Sequence, residues 1–366
     1  MIPVTKPYLP SREKLDKLID GIYERQWLTN NGKLVQELTE RLEDYLEVKN
    51  LLLVANGTLA LQIAYRTLGI TESSRQGANS VITTPFTFVA TASSLKWDGA
   101  QPIFSDINKE SWCLAPEHIE PLVTDSVKAI VPVHVFGNVC EVESIQKIAD
   151  RHALKVVYDA SHAFRVKYKG KSILSWGDAA TLSFHATKLF HTAEGGAIVF
   201  KRKEDFERAK KLINFGITGP EVIEELGINA KMNELQAAIG LCVLDEIEYN
   251  MEARQKIWHY YERELKSFVQ LQEINEEVDY NYAYFPILLD SEEMLLRTYK
   301  KLRENSIFAR RYFFPSLESV SYLSSQKEQI VSNNIASRIL CLPIYSDLKE
   351  EEQQNVIDII KRELKI

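Results

Sequence analysis

The sequence predicts an α/β protein with a central, mostly parallel sheet and a smaller α+β region at its C-terminal end. Short apolar runs alternate with helical segments between positions 51 and 158, and that rhythm changes after position 268. Strands that alternate with helices imply crossover connections, the usual way of joining parallel strands. The length of 366 residues is ample for a large domain of this kind plus a smaller one. We place the division at 1–245 and 246–366.

Taken in order, a helix is expected over 11–26, a polar turn over 27–32, and then Leu34, Leu38, Leu42 and Tyr45 at the spacing of one buried helix face. Positions 51–55 read as a buried strand that ends at Asn56, Gly57 and Thr58, after which 59–68 reads as a helix. The pattern repeats as strand 80–85, helix 87–97, strand 102–104, helix 116–123, strand 129–133, helix 141–151 and strand 154–158. Between 231 and 268 there is no proline and a single glycine, Gly240, so one long helix or two abutting helices are expected there. Beyond lie expected strands at 282–287 and 307–313, helices at 293–303, 333–340 and 349–364, and a polar loop at 326–332.

Composition narrows the class. Charged residues make up 26% and hydrophobic residues 45%, with a net charge of −7, which is ordinary for a globular protein and leaves no basic footprint for nucleic acid. No run approaches the roughly 18 apolar residues of a membrane span, and the first residues lack a basic then apolar leader pattern. Neither nucleic acid nor membrane is expected as a partner, and a cytoplasmic location is. The four cysteines form no C-x-x-C pair and the seven histidines no metal-binding spacing, so no metal is expected.

In parallel sheets ligands sit at the carboxyl ends of the strands. Gly57, Phe88, His134, Asp159 and Lys188 all fall at or just beyond such ends. Lys188 follows an apolar run that ends near Ser183, and Asp159 closes the neighbouring one. Either residue alone reads as a surface charge or a turn residue. Together they are the pair that pyridoxal phosphate chemistry needs: an amine to form the Schiff base and a carboxylate to keep the pyridine nitrogen protonated. The turn at Gly57 and Thr58 adds free amides and a helix dipole suited to a phosphate. The same turn also reads as a plain helix cap.

These residues, with the segments WLTNNG (27–32), NGTLAL (56–61), PFTFVAT (85–91), VPVH (131–134), DASHA (159–163), SFHATK (183–188), MNELQAA (232–238) and LPIY (342–345), resemble the sugar aminotransferases of the DegT/DnrJ/EryC1/StrS family over nearly the whole chain. The resemblance implies the fold-type I, aspartate aminotransferase-like architecture and pyridoxal 5'-phosphate as cofactor. It implies that Lys188 carries the cofactor and moves protons, that Asp159 pairs with the pyridine nitrogen, and that Phe88 stacks on the ring. His162, where many members have glutamine, would lie beside the ring near O3′. The amides of Gly57 and Thr58 and the Ser183 hydroxyl would hold the phosphate, with Asn229 supplied by the second subunit of a homodimer with shared active sites.

Two departures stand out. Ala193 replaces the first glycine of the Thr-x-Gly-Glu-Gly-Gly run that members often carry after the lysine, and Ala230-Lys231 replaces a segment that commonly contains arginine. The implied reaction moves an amino group from L-glutamate to C4 of dTDP-4-keto-6-deoxy-D-glucose, giving dTDP-4-amino-4,6-dideoxy-D-glucose for O-antigen or related glycans. The segments 309–313 and 159–164 are similar to that C4, equatorial branch. A C3-directed nucleotide-sugar aminotransferase is the alternative, and a non-catalytic sugar-nucleotide or cofactor-binding regulator stands behind it. Lys188 argues against the family's dehydratases, in which histidine takes its place. His134, His185, His191, Arg311 and Tyr312 are open to either substrate or structural roles.

Overall fold

A computed structural model describes residues 1–72, 79–323 and 329–364. Its centre is a seven-stranded sheet whose spatial order is Leu51–Val54, Gly196–Phe200, Ala179–Ser183, Lys155–Asp159, Val127–Val131, Ser80–Thr83 and Gln101–Phe104. Six strands run parallel to one another, and Gly196–Phe200 is antiparallel to both of its neighbours. Both faces are covered, so most strand residues are buried. In Leu51–Val54, Leu51 and Leu53 pack with Leu34, Leu38 and Leu42 on one face, while Leu52 and Val54 pack with Ala60, Leu61 and Ala64 on the other.

The helices that make these layers follow from local chemistry. Ser11 caps Arg12–Arg25, and Asn56 accepts the Leu59 amide at 2.9 Å to start Gly57–Thr67. The proline-free stretch forms two abutting helices, Glu234–Asp245 and Ile247–Leu265, the first opened by a capping box of Asn233 and Gln236. Beyond them an antiparallel sheet of Gln270–Leu271, Phe285–Leu288 and Ile339–Leu342 packs with Glu292–Glu304 and Glu350–Glu363. The N-terminal Ile2–Pro3 reaches across to pair with Ile307–Phe308.

Several sequence expectations need correction. The helix expected at 116–123 is two short 3₁₀ turns, Pro116–His118 and Glu120–Leu122, because Pro121 sits inside it and lacks the amide that a helix interior requires. The strand expected at 307–313 is regular only over Ile307–Phe308, and that expected at 282–287 begins at Phe285, after Tyr282 turns to φ 53°. The helix expected at 333–340 is Ile330–Arg338, and Ile339–Leu342 is a strand. Of the loop expected at 326–332, positions 326–328 lie outside the described residues and 330–332 open that helix. Gly196–Phe200 had no element assigned from the sequence. Among the described residues no helix is long and apolar enough to cross a membrane, and no group of histidine, cysteine, aspartate or glutamate residues could hold a metal ion.

Candidate active site

A cavity of about 770 Å³ opens at the carboxyl ends of the parallel strands, and Gly57, Thr58, Phe88, Asp159, His162, Ser183 and Lys188 all line it. Lys155–Asp159 and Ala179–Ser183 are adjacent parallel strands with Asp159 opposite Thr181, so Asp159 and the loop bearing Lys188 leave the sheet side by side. Asp159 is 5% exposed, and both of its oxygens are engaged: Oδ2 accepts the Thr91 hydroxyl at 2.8 Å and Oδ1 the Ser161 amide at 3.0 Å. Thr91 in turn shares a hydrogen bond with Thr87 at 2.8 Å.

The Lys188 amine donates to the Tyr284 hydroxyl at 3.3 Å. Burial pushes the Lys188 ammonium down to about 8; Asp159 opposes that shift and Arg310 reinforces it. A lysine so lowered has about a tenth of its amine free and nucleophilic at pH 7, far more than an unperturbed lysine. His162 is buried between Tyr284 and Phe313, at ring-centre distances of 4.3 and 5.7 Å, and its Nδ1 accepts the Phe136 amide at 3.2 Å. Burial, with Lys188 and Arg310, drives its pKa well below the ordinary histidine value, so the ring is neutral with its proton on Nε2.

Helix Gly57–Thr67 starts hard against the end of Ala179–Ser183. A Cβ on Gly57 would lie 2.8 Å from that of Ser183, so only glycine lets the first-turn amides reach this depth. Those amides, the Thr58 and Ser183 hydroxyls and the positive end of the helix form an anion cradle. A cradle, an amine, a carboxylate and the exposed Phe88 ring, all lining one cavity, fit the phosphate, aldehyde, pyridine nitrogen and face of pyridoxal phosphate.

Asn229 is not brought into the cavity of its own chain. It is exposed, bridged to Asn214 beside the hairpin of Ile217–Gly219 and Val222–Ile223. Lys231, at the second departure, donates to Asn214 at 2.8 Å and lies over Phe215. Ala193, at the first, holds φ 64°, the left-handed conformation that glycine takes most easily.

Among the open residues, Tyr312 lines the cavity and Arg311 turns away to Glu292 at 2.7 Å. His185 lines it too, held by Thr187 at 2.8 Å. His134 is fully buried against Tyr158, and burial takes it down to about 3; His191 anchors its loop to the Tyr8 carbonyl at 2.8 Å. Sequence reasoning assigned no site role to Thr91, Tyr284 or Arg310. Thr91 lies in the first turn of the helix Val89–Trp97, and Thr87 reaches it from the bend before that helix. Tyr284 carried no local signal, since the fold brings it to Lys188 from 96 positions away.

The fold is that of the fold-type I class. The family model for the DegT/DnrJ/EryC1/StrS aminotransferases matches residues 11–361, and the chain belongs to that family. Membership in this aminotransferase family implies pyridoxal phosphate. The chain is similar to a dTDP-4-amino-4,6-dideoxy-D-glucose transaminase of Shigella dysenteriae, 38% identical over 370 residues, covering 99% of this chain and 98% of the relative. It is similar to one of Escherichia coli, 39% identical over 360 residues, covering 96% and 95%. The crystal structure of DesI in the presence of its TDP-sugar product superposes with a TM-score of 0.92 at 29% identity, covering 99% of this chain and 93% of that one.

Proposed function

We propose that the protein transfers an amino group from L-glutamate to C4 of dTDP-4-keto-6-deoxy-D-glucose, giving dTDP-4-amino-4,6-dideoxy-D-glucose for O-antigen or a related glycan. The observation that carries the reading is the pairing of Lys188 and Asp159 at the ends of adjacent parallel strands, within one cavity with the Gly57 cradle. The choice of sugar is supported by the two transaminases that are 38% and 39% identical over almost the whole chain.

Pyridoxal phosphate, when bound, supplies an electron-withdrawing ring that stabilises negative charge on the Cα of the amino donor. Lys188 would hold the cofactor and, as a free amine, would move the proton that leaves Cα of the donor. Asp159, its position set by Thr91 and Ser161, would keep the ring nitrogen protonated. Gly57, Thr58 and Ser183 would bind the phosphate, Phe88 would lie against the ring, and the neutral His162 would offer its Nε2 proton without adding charge.

Asn229 serves the site of a second subunit in this reading. Exposed Phe215, Val222, Ile223, Leu226 and Ile228 around it supply the apolar surface that a homodimer would bury. Light scattering should give twice the chain mass, and a mixture of K188A and N229A subunits should recover activity that neither variant has alone.

The deciding experiment incubates the protein with pyridoxal phosphate, L-glutamate and dTDP-4-keto-6-deoxy-D-glucose and locates the new nitrogen by NMR. Equatorial nitrogen at C4 is expected. Nitrogen at C3, or a Lys188 adduct without product, overturns the substrate assignment, and absence of any borohydride-reducible adduct on Lys188 overturns the cofactor assignment.

A further inference from the structure

Tyr284 meets Lys188 through its hydroxyl and not through its ring face. The amine stands 3.3 Å from the oxygen and 5.9 Å from the ring centre. The tyrosine is buried, and it is fixed from two directions. Its ring packs against His162, Phe136 and Tyr312, at centre distances of 4.3, 5.5 and 5.5 Å. Its backbone is set by the residue before it: the Ala283 amide donates to Asn281 at 3.2 Å, and the Ala283 carbonyl accepts from Arg254 at 3.2 Å. Asn281 also donates to the carbonyls of His162 and Phe164, at 2.9 and 3.0 Å, so the segment that carries Tyr284 is locked to the loop that follows Asp159. Among the described residues Lys188 is the one hydrogen-bond partner of this hydroxyl.

We propose that Tyr284 is a positioning residue that holds the Lys188 side chain in both of its protonation states, an assignment that rests on reading the site as an aminotransferase. In that reading Lys188 takes up the proton that leaves Cα of the donor and later gives one up, so it alternates between amine and ammonium inside a buried cavity. A hydroxyl serves both forms, because it has one proton to give and lone pairs to receive. It accepts from the ammonium and, by turning about its C–O bond, donates to the lone pair of the amine. A carboxylate in its place would favour the ammonium alone, and a cation the amine alone. The phenol keeps its own proton throughout, since burial holds it well above the ordinary tyrosine value. The charged and titratable groups around the pair are Asp159, His162, Arg254, Arg310, Tyr312 and Cys341. Asp159 favours the ammonium and Arg310 the amine, both through space. Among the described residues Tyr284 alone hydrogen-bonds the amine.

The test follows the titration of Lys188 in the full-length, cofactor-free chain by trace acetylation with acetic anhydride, read by peptide mass spectrometry, for wild type, Y284F and Y280F. Tyr280 is the control, because its buried hydroxyl donates to the Phe136 carbonyl at 2.8 Å in the same cluster without reaching Lys188. Hydrogen bonds to a charged group are stronger than those to a neutral one, so Tyr284→Phe destabilises the ammonium more than the amine. The Lys188 midpoint should therefore fall below about 8 in Y284F. The expected fall is about 0.5 to 1 pH unit, with no shift in Y280F. A hydroxyl that only fills space gives the opposite sign, since a loosened site admits water and returns the lysine towards its ordinary value of about 10.4. In the cofactor-loaded enzyme the limiting rate of the donor half-reaction should fall about tenfold in Y284F, with the apparent dissociation constant for L-glutamate within about threefold. An unchanged or raised midpoint in Y284F overturns the proposal, as does an equal shift in Y280F or an unchanged limiting rate, and wild-type turnover in those cases leaves the proposed function standing. A wild-type chain that forms no borohydride-reducible adduct on Lys188 with pyridoxal phosphate removes the proposed function whatever the titration shows, and the role of Tyr284 with it.

Discussion

The floor and the wall of the cavity are built on opposite terms. On the floor the polar groups already have partners: Asp159 has Thr91 and Ser161, Lys188 has Tyr284, and His162 has the Phe136 amide. On the wall and rim the groups wait. Phe88 is 54% exposed, and Arg310 has no ion pair among the described residues. Groups that hold charge through a reaction work best when they are oriented beforehand, whereas groups that discriminate between ligands gain by having the ligand complete them. In the proposed function chemistry falls to the sheet ends, while Arg310, Tyr312 and Phe313 line the cavity beside them.

Breaking the floor should produce the largest effects. Lys188→Ala should lower amino transfer by about 10⁴-fold or more in single-turnover assays, with the circular dichroism of wild type. A loss under tenfold would remove the lysine from the mechanism. Asp159→Asn should cost on the order of 10³-fold in turnover and less than tenfold in cofactor affinity, measured by equilibrium titration. Near-normal turnover would sink its assignment. Thr91→Val takes away one hydrogen bond from the carboxylate, and the donor half-reaction should slow by about tenfold, with Thr91→Ser restoring it. If serine does not restore it, the hydroxyl is merely packing.

The state of Lys188 sharpens the same contrast through pH. A free amine is the nucleophile, so a lowered pKa moves reactivity to lower pH. Addition of pyridoxal phosphate to cofactor-free protein should accelerate as pH rises through about 8. A midpoint near the ordinary lysine value of about 10.4 would show that the floor leaves this group unperturbed. The smallest effect belongs to the loop behind the floor. Ala193→Gly relieves a left-handed alanine and should stabilise the protein by about 1 kcal/mol in urea unfolding, with catalysis unchanged.

The alternation of strands and helices between 51 and 159 was legible because a strand buried on both faces must be a continuous apolar run, and those runs are bounded by turn residues. Gly196–Phe200 and Ile339–Leu342 are runs of the same kind that went unassigned as strands. Neither has a local periodicity that separates strand from buried helix, and each exists through pairing with distant partners: Leu51–Val54 and Ala179–Ser183 for the first, Phe285–Leu288 for the second. The segment 307–313 shows the converse, since its β-forming composition met only Ile2–Pro3 as a paired strand and stayed irregular beyond Phe308.

By itself the sequence determined the class of fold, the lysine and carboxylate at strand ends and the glycine turn that opens helix Gly57–Thr67, because strand ends, turn chemistry and residue type are local properties. Only the tertiary structure decided that Thr91 and Tyr284 hold that pair, that Asn229 faces away from its own cavity, and that Arg310 rather than Arg311 looks inward. Which side of an extended segment faces a cavity depends on its register with a distant strand, here the bridge of Arg310 to Cys341. A shift of one residue would have exchanged the two arginines while leaving every local preference satisfied.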